Sequence, residues 1–101
     1  MTDDVTLLKV KGEKGFDNEQ SRKNYIKSVS SAILAVIAKH GYAKVKSVGA
    51  SSSNNALKSI IVAKGEAAKG GQNLVVEPCF DSAVFDGGEK TAIVQKVYFK
   101  S

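Results

Sequence analysis

The sequence predicts an α/β fold, a two-layer sandwich with element order β-α-β-α-β-β and a four-stranded mixed sheet. Three observations lead there. Two stretches, around 26–37 and 56–63, space apolar residues at three and four, as amphipathic helices do. Four stretches, at 5–11, 43–48, 74–77 and 91–99, are rich in Val, Ile, Leu, Tyr or Phe, as strands are. Glycine-containing breaks fall between them. Two helices can cover only one face of such a sheet, and the strand–helix–strand connections are expected to be right-handed.

The first strand is Val5 to Lys11, V-T-L-L-K-V-K. The polar stretch 12–20 follows and reads as an extended loop. Ser21 is a suitable helix cap, because its hydroxyl can accept from an unpaired backbone N–H of the first turn. Ile26, Val29, Ile33, Val36 and Ile37 then form the inner stripe of the first helix. Lys39-His40-Gly41 closes it, with cations at the negative end of the helix dipole and a glycine for the left-handed cap.

Ala43 to Val48 alternates as a short second strand. Gly49-Ala50-Ser51-Ser52-Ser53 reads as a turn with several capping side chains. The second helix spans Asn54 to Lys64, with Ala56, Leu57, Ile60, Ile61 and Ala63 inward, and Gly65 and Lys69-Gly70-Gly71 end it. Leu74 to Glu77 is the third strand, with Pro78 near its end. Asp86-Gly87-Gly88 turns the chain into a fourth strand, Thr91 to Phe99, so the last two strands form a hairpin.

At 101 residues, with 43% apolar and 25% charged residues, residues 1–101 are expected to form a single domain. No internal repeat or low-complexity tract is visible. The longest apolar run, Ala32 to Ala38, falls far short of the ~20 residues that cross a bilayer. Met1-Thr2-Asp3-Asp4 lacks the basic and apolar regions of a signal peptide. The lone Cys79 permits no intrachain disulfide. Together these features lead us to expect a cytoplasmic protein.

Charge is unevenly spread. Residues 1–19 carry a net −2, residues 20–70 a net +8 and residues 71–101 a net −1, giving +5 overall. An almost purely cationic middle suits a polyanionic partner.

The residues for catalysis are missing. His40 stands beside Lys39 at a helix end, where a cation caps the dipole. Cys79 has no neighbouring His or Cys to share a zinc ion and is expected to be a small buried hydrophobe. Asp81, Asp86 and Glu89 lack the ligand spacing of a calcium loop. The protein is therefore expected to be no enzyme and to need no metal or cofactor.

Three groups can meet phosphates instead. Lys14 lies in the Gly12-Glu13-Lys14-Gly15 loop, just before a helix N-terminus. Arg22, Lys23 and Lys27 stand on the first turns of the first helix, where cations oppose the dipole and gain nothing locally. Ser51, Asn54 and Lys58 stand at the start of the second helix, whose N–H groups suit an anion. Lys44 and Lys46 share one face of the second strand. Aromatic residues are scattered, so backbone contacts rather than base stacking are expected.

The string itself also carries information. Leu8-Lys9-Val10, Gly49-Ala50, Asn54, Ala56, Lys58, Val62-Ala63-Lys64-Gly65, Pro78-Cys79-Phe80 and Phe85-Asp86-Gly87 resemble, in colinear order, the stage V sporulation protein S family. Asp86 to Ile93, matching D-G-x-E-[RK]-T-A-I, is the most specific segment. That family is similar to the Alba superfamily of chromatin and RNA-binding proteins. The resemblance implies an Alba-like fold, a homodimer, nucleic-acid binding across the dimer surface, and a sporulation or developmental regulator. It places Lys14, Arg22 and Lys23 in the basic loop region that contacts phosphates, and Ser51, Asn54 and Lys58 in the turn that faces nucleic acid. The loop 12–20 is longer than the family pattern, and the hairpin tip is acidic except for Lys90, unlike the basic arm of Alba proteins.

The resulting expectation is a homodimer that binds DNA or RNA largely without regard to sequence. The alternative is a regulatory module in which the sheet or the acidic hairpin docks a protein partner and the positive charge serves solubility.

Overall fold

The computed structural model describes residues 4–12, 16–85 and 88–100. The chain runs β1 (Leu7–Lys9), α1 (Glu19–His40), β2 (Ala43–Ser47), α2 (Ala50–Lys69), β3 (Asn73–Phe85) and β4 (Gly88–Lys100). This is the expected β-α-β-α-β-β order. The four strands form one sheet in the order β1-β2-β4-β3. β1 and β2 are parallel, and β4 pairs antiparallel with both β2 and β3.

Both helices pack on one face. Ala43, Val45 and Ser47 of β2 are buried there, alternating with half-exposed Lys44 and Lys46. Ile33 and Ile37 of α1, Ala56, Ile60 and Ala63 of α2, and Val97 of β4 complete the core. The small α2 side chains let that helix lie close to the sheet. A four-stranded sheet covered by two helices on one face meets the usual requirement for independent stability, which a lone hairpin does not.

Several boundaries differ from the sequence reading. α1 starts at Glu19, not after Ser21: Asn18 is the N-cap, and its side chain accepts from the Ser21 N–H. Ser21 is thus the donor of the cap bond. Gly41 ends the helix as expected, in the left-handed region at φ 90°. α2 begins four residues early, with Gly49 as an N-cap that has no side-chain cap bond. The serines expected as caps lie inside the first turn, and Ser53 instead shares a 3.1 Å hydroxyl bond with Ser47. The helix continues through Gly65, because Ala63 and Ala67 bury against the sheet.

Leu57 and Ile61, expected inward, are 47% and 59% exposed. The inner face of α2 is taken by Ser52, Asn55, Ala56, Ser59, Ile60, Ala63 and Ala67. A pattern of mixed apolar and small residues leaves the inward direction undecided until the sheet is present.

β3 extends through Pro78 to Phe85, instead of stopping near the proline. It pairs only with β4, and an edge strand tolerates the missing N–H. Cys79, expected to be buried, is exposed. Its register partner is Val94, which in turn opposes Lys46, so Cys79 lies on the face away from the helices.

Candidate functional site

In a β1-α1-β2-α2 arrangement with parallel strands, both helices start at the same end of the sheet. Open α/β sheets bind ligands at that end, outside the carboxyl ends of the parallel strands. The β3–β4 hairpin runs past it as well: Ser47, the last residue of β2, opposes Ile93, and β4 starts at Gly88. Two concavities border α2, one between the middle of that helix and α1 and one at this end of the sheet against its first turn.

The first is a shallow groove of about 300 Å³ between the helices. Lys23 and Lys27 of α1 and Lys58 of α2 rim it, over Ile26, Ile61 and Val62. Three expected contact residues, from two distant segments, are thus brought together. Glu19 is the nearby acid: its carboxyl is held below the usual range, first by a hydrogen bond from Arg22 and then by the charges of Arg22, Lys23 and Lys58.

The second is a cleft of about 660 Å³. Its cations are Lys9 and Lys11 from the end of β1, Lys46 from β2 and Lys90 from β4. Val10, Val48 and Val84 supply apolar wall, and Ser47 and Ser52 also line it. Among the described residues, no carboxylate lines it.

The segment leaving β1 is fixed residue by residue. The Val10 N–H donates to the Lys46 carbonyl at 2.9 Å, and the Lys11 N–H donates to the Tyr25 hydroxyl at 3.1 Å. The Lys11 carbonyl accepts from the Asn55 amide at 3.1 Å. The Lys11 ammonium stands 4.9 Å and 5.1 Å from the Phe16 and Tyr25 ring centroids, within cation–π range. Gly12 lies against α2: a Cβ there would come within 3.0 Å of the Ser51 Oγ. The start of the β1–α1 loop is thereby clamped over the first turn of α2.

Asn55 is the central clamp. It is fully buried, and among the described residues its Oδ1 has no partner. Asn55→Ala leaves the Lys11 carbonyl without this donor and is expected to cost about 1–3 kcal/mol. Asn55→Asp is expected to cost more, since it also buries a carboxylate against a carbonyl. Urea denaturation of wild type and both variants checks the order, and an Asn55→Ala variant as stable as wild type would show that the Lys11 contact contributes little.

The remaining candidates fall out as follows. Arg22 pairs with Glu19 one turn away, so, contrary to expectation, this cation does gain a local partner. Because α1 starts earlier than expected, Lys27 stands in its third turn rather than at its very start. Ser51 lies in the first turn of α2 against Gly12, and Asn54 is exposed one turn on. Lys14 lies outside the described residues, as does Asp86 of the acidic tip.

Lys44 and Lys46 do face the uncovered side of the sheet, but each meets an acid: Lys44 pairs with Asp4, and Lys46 with Asp81 at 3.3 Å. The hydrogen bond from Lys44, followed by those from the Thr6 hydroxyl and N–H, lowers the Asp4 pKa to about 2. The Asp81 carboxyl is lowered first by the Ser82 N–H and then by Lys46.

Lys9, Lys11 and Lys90 escaped the sequence reading as site residues. Lys9 and Lys46 are register partners on parallel strands, and only the sheet brings them side by side. The alternation L-K-V-K at 8–11, which begins in β1 and runs past its end, is the visible signal. Among the described residues, no group of His, Cys, Asp and Glu could hold a metal ion. No helix among them is long and apolar enough to cross a membrane.

Residues 20–100 match the family model of stage V sporulation protein S. The chain belongs to the stage V sporulation protein S family. The match takes in α1, β2, α2 and the whole hairpin, and so includes both walls of the groove. It starts after β1 and most of the 12–20 loop. Lys9 and Lys11 of the cleft therefore lie outside the matched segment, whereas Lys46 and Lys90 lie within it. Family membership makes this a sporulation-related protein.

Proposed function

We propose that the protein is a nucleic-acid-binding dimer, not an enzyme, that grips the phosphate backbone with little sequence preference. One observation carries the reading: seven lysines, from α1, α2, β1 and the segment leaving it, β2 and β4, line two concavities that both border α2. Phosphate contacts by lysine supply affinity without base information.

The dimer is supported by α2. Leu57, Ile61, Gly65 and Ala68 follow one another along its exposed side, without a charge. The stripe is large at one end and small at the other. Two antiparallel copies about a twofold axis would set Leu57 and Ile61 of one against Gly65 and Ala68 of its partner, a self-complementary fit. On the helix side of edge strand β3, Val76 and Phe80 are also exposed, Phe80 by 80%, adding apolar surface for a second copy to cover.

The test is binding to labelled duplex DNA, single-stranded DNA and RNA over a salt series. For duplex DNA, about five to eight phosphate contacts per dimer predict log K falling against log salt by about 0.9 per contact. Absence of binding to all three at low salt would sink the proposal. The reading as a protein-docking module, favoured by the apolar floor of the groove, would then be pursued by nuclease-resistant pull-down.

A further inference from the structure

The groove and the cleft differ in kind. The groove is shallow, with lysines along its rim. The cleft is about twice as large, at about 660 Å³, within the range of sites that enclose small ligands. Its chemistry is two-sided: Lys9, Lys11 and Lys90 are joined by Lys46, whose charge is partly offset by Asp81, while Val48 and Val84 belong to an apolar wall. A bare inorganic anion would leave that wall uncovered, and an apolar molecule would bring nothing to the cations. A phosphate ester carrying a flat, weakly polar ring system answers both.

Lys46 and Lys11 are held in advance. The Lys46 ammonium donates to the Ser82 carbonyl at 3.0 Å and to Asp81 at 3.3 Å, and Lys11 is held over Phe16 and Tyr25. Side chains fixed beforehand lose less conformational freedom when a ligand arrives. The Ser52 hydroxyl adds a neutral donor and acceptor for ring or sugar edges.

We infer that the cleft is a site for one nucleotide, with its phosphate on the lysines and its base on the valine wall. The nucleotide is either free or one unstacked residue of a bound strand. In the second case the inference extends the proposed nucleic-acid binding and adds a preference for single strands, since a base inside a duplex cannot leave its stack without cost. In the first case it stands without that function.

The experiment is an amide NMR titration of the full-length protein with adenosine monophosphate, adenosine, inorganic phosphate and a short oligonucleotide, single-stranded and duplex. Saturable shifts at Ser52, Ala83 and Val84 with the mononucleotide, at least about tenfold tighter than with phosphate or nucleoside alone, are expected for a free ligand. The same shifts with the single strand only would identify the strand as the source.

Two variants at exposed positions, Lys9→Gln with Lys90→Gln and, separately, Val84→Glu, should each weaken these responses about tenfold or more without loss of the folded spectrum. An oligonucleotide that binds and shifts only the groove around Lys23, Lys27 and Lys58 would overturn the inference and leave the proposed function standing. Mononucleotide shifts at the cleft without any oligonucleotide binding would do the reverse. No shift at the cleft with any of the probes would overturn it outright.

Discussion

Replacement of Lys23, Lys27 and Lys58 together by glutamine should weaken binding to every nucleic-acid sequence alike, by about ten- to a hundredfold at moderate salt. The three side chains rim one groove, so they reach one stretch of backbone. The slope of log K against log salt should flatten by about one for each phosphate that is no longer neutralised. Rim lysines at half-exposed or exposed positions contribute little to folding, so thermal unfolding should change little. Titration of wild type and variant at several salt concentrations checks both quantities. An unchanged slope would show that the backbone passes elsewhere, with the cleft lysines as the next place to look.

The second large effect concerns assembly. Leu57→Glu combined with Ala68→Glu places a like charge at each end of the uncharged α2 stripe and leaves Ile61, which the groove shares, unchanged. Each would be buried against the partner's stripe across the proposed twofold axis, and buried unpaired charge is strongly unfavourable. The wild type should run as a dimer of the 10.7 kDa chain and the variant as a monomer, measured by light scattering during gel filtration. Both positions are exposed in the protomer, so the monomer should remain folded.

Binding should weaken about a hundredfold or more, because the second set of lysines no longer acts at a high effective concentration. A monomeric wild type would discard the dimer and leave backbone binding by single protomers to be judged on its own.

The two concavities were unequally legible in the sequence. Lys23, Lys27 and Lys58 stand out because they lie on helices, where a three- or four-residue spacing says which side chains share a face. Lys9, Lys11 and Lys90 do not, because their meeting depends on strand pairing at long range. Local pattern carries no information about register between strands this far apart. Arg22 shows the opposite error. Its position opposes the dipole, but the true helix start at Glu19 supplies a partner one turn away, so the apparent lack of local gain vanishes.

By itself the sequence determined the element order, the single-faced helix layer, the cationic middle segment and the family. These follow from periodicity, composition and a colinear string of short motifs, all of which are local or additive. The tertiary structure alone decided that Leu57, Ile61 and Cys79 are exposed, that Pro78 lies inside a long edge strand, and that β4 inserts between β2 and β3. It also decided that Asn55 clamps the Lys11 carbonyl, which sets the lysines at the end of β1 around a cleft. In each case the outcome depends on which surface another element covers, and that is settled only when the sheet forms and its two faces become different environments.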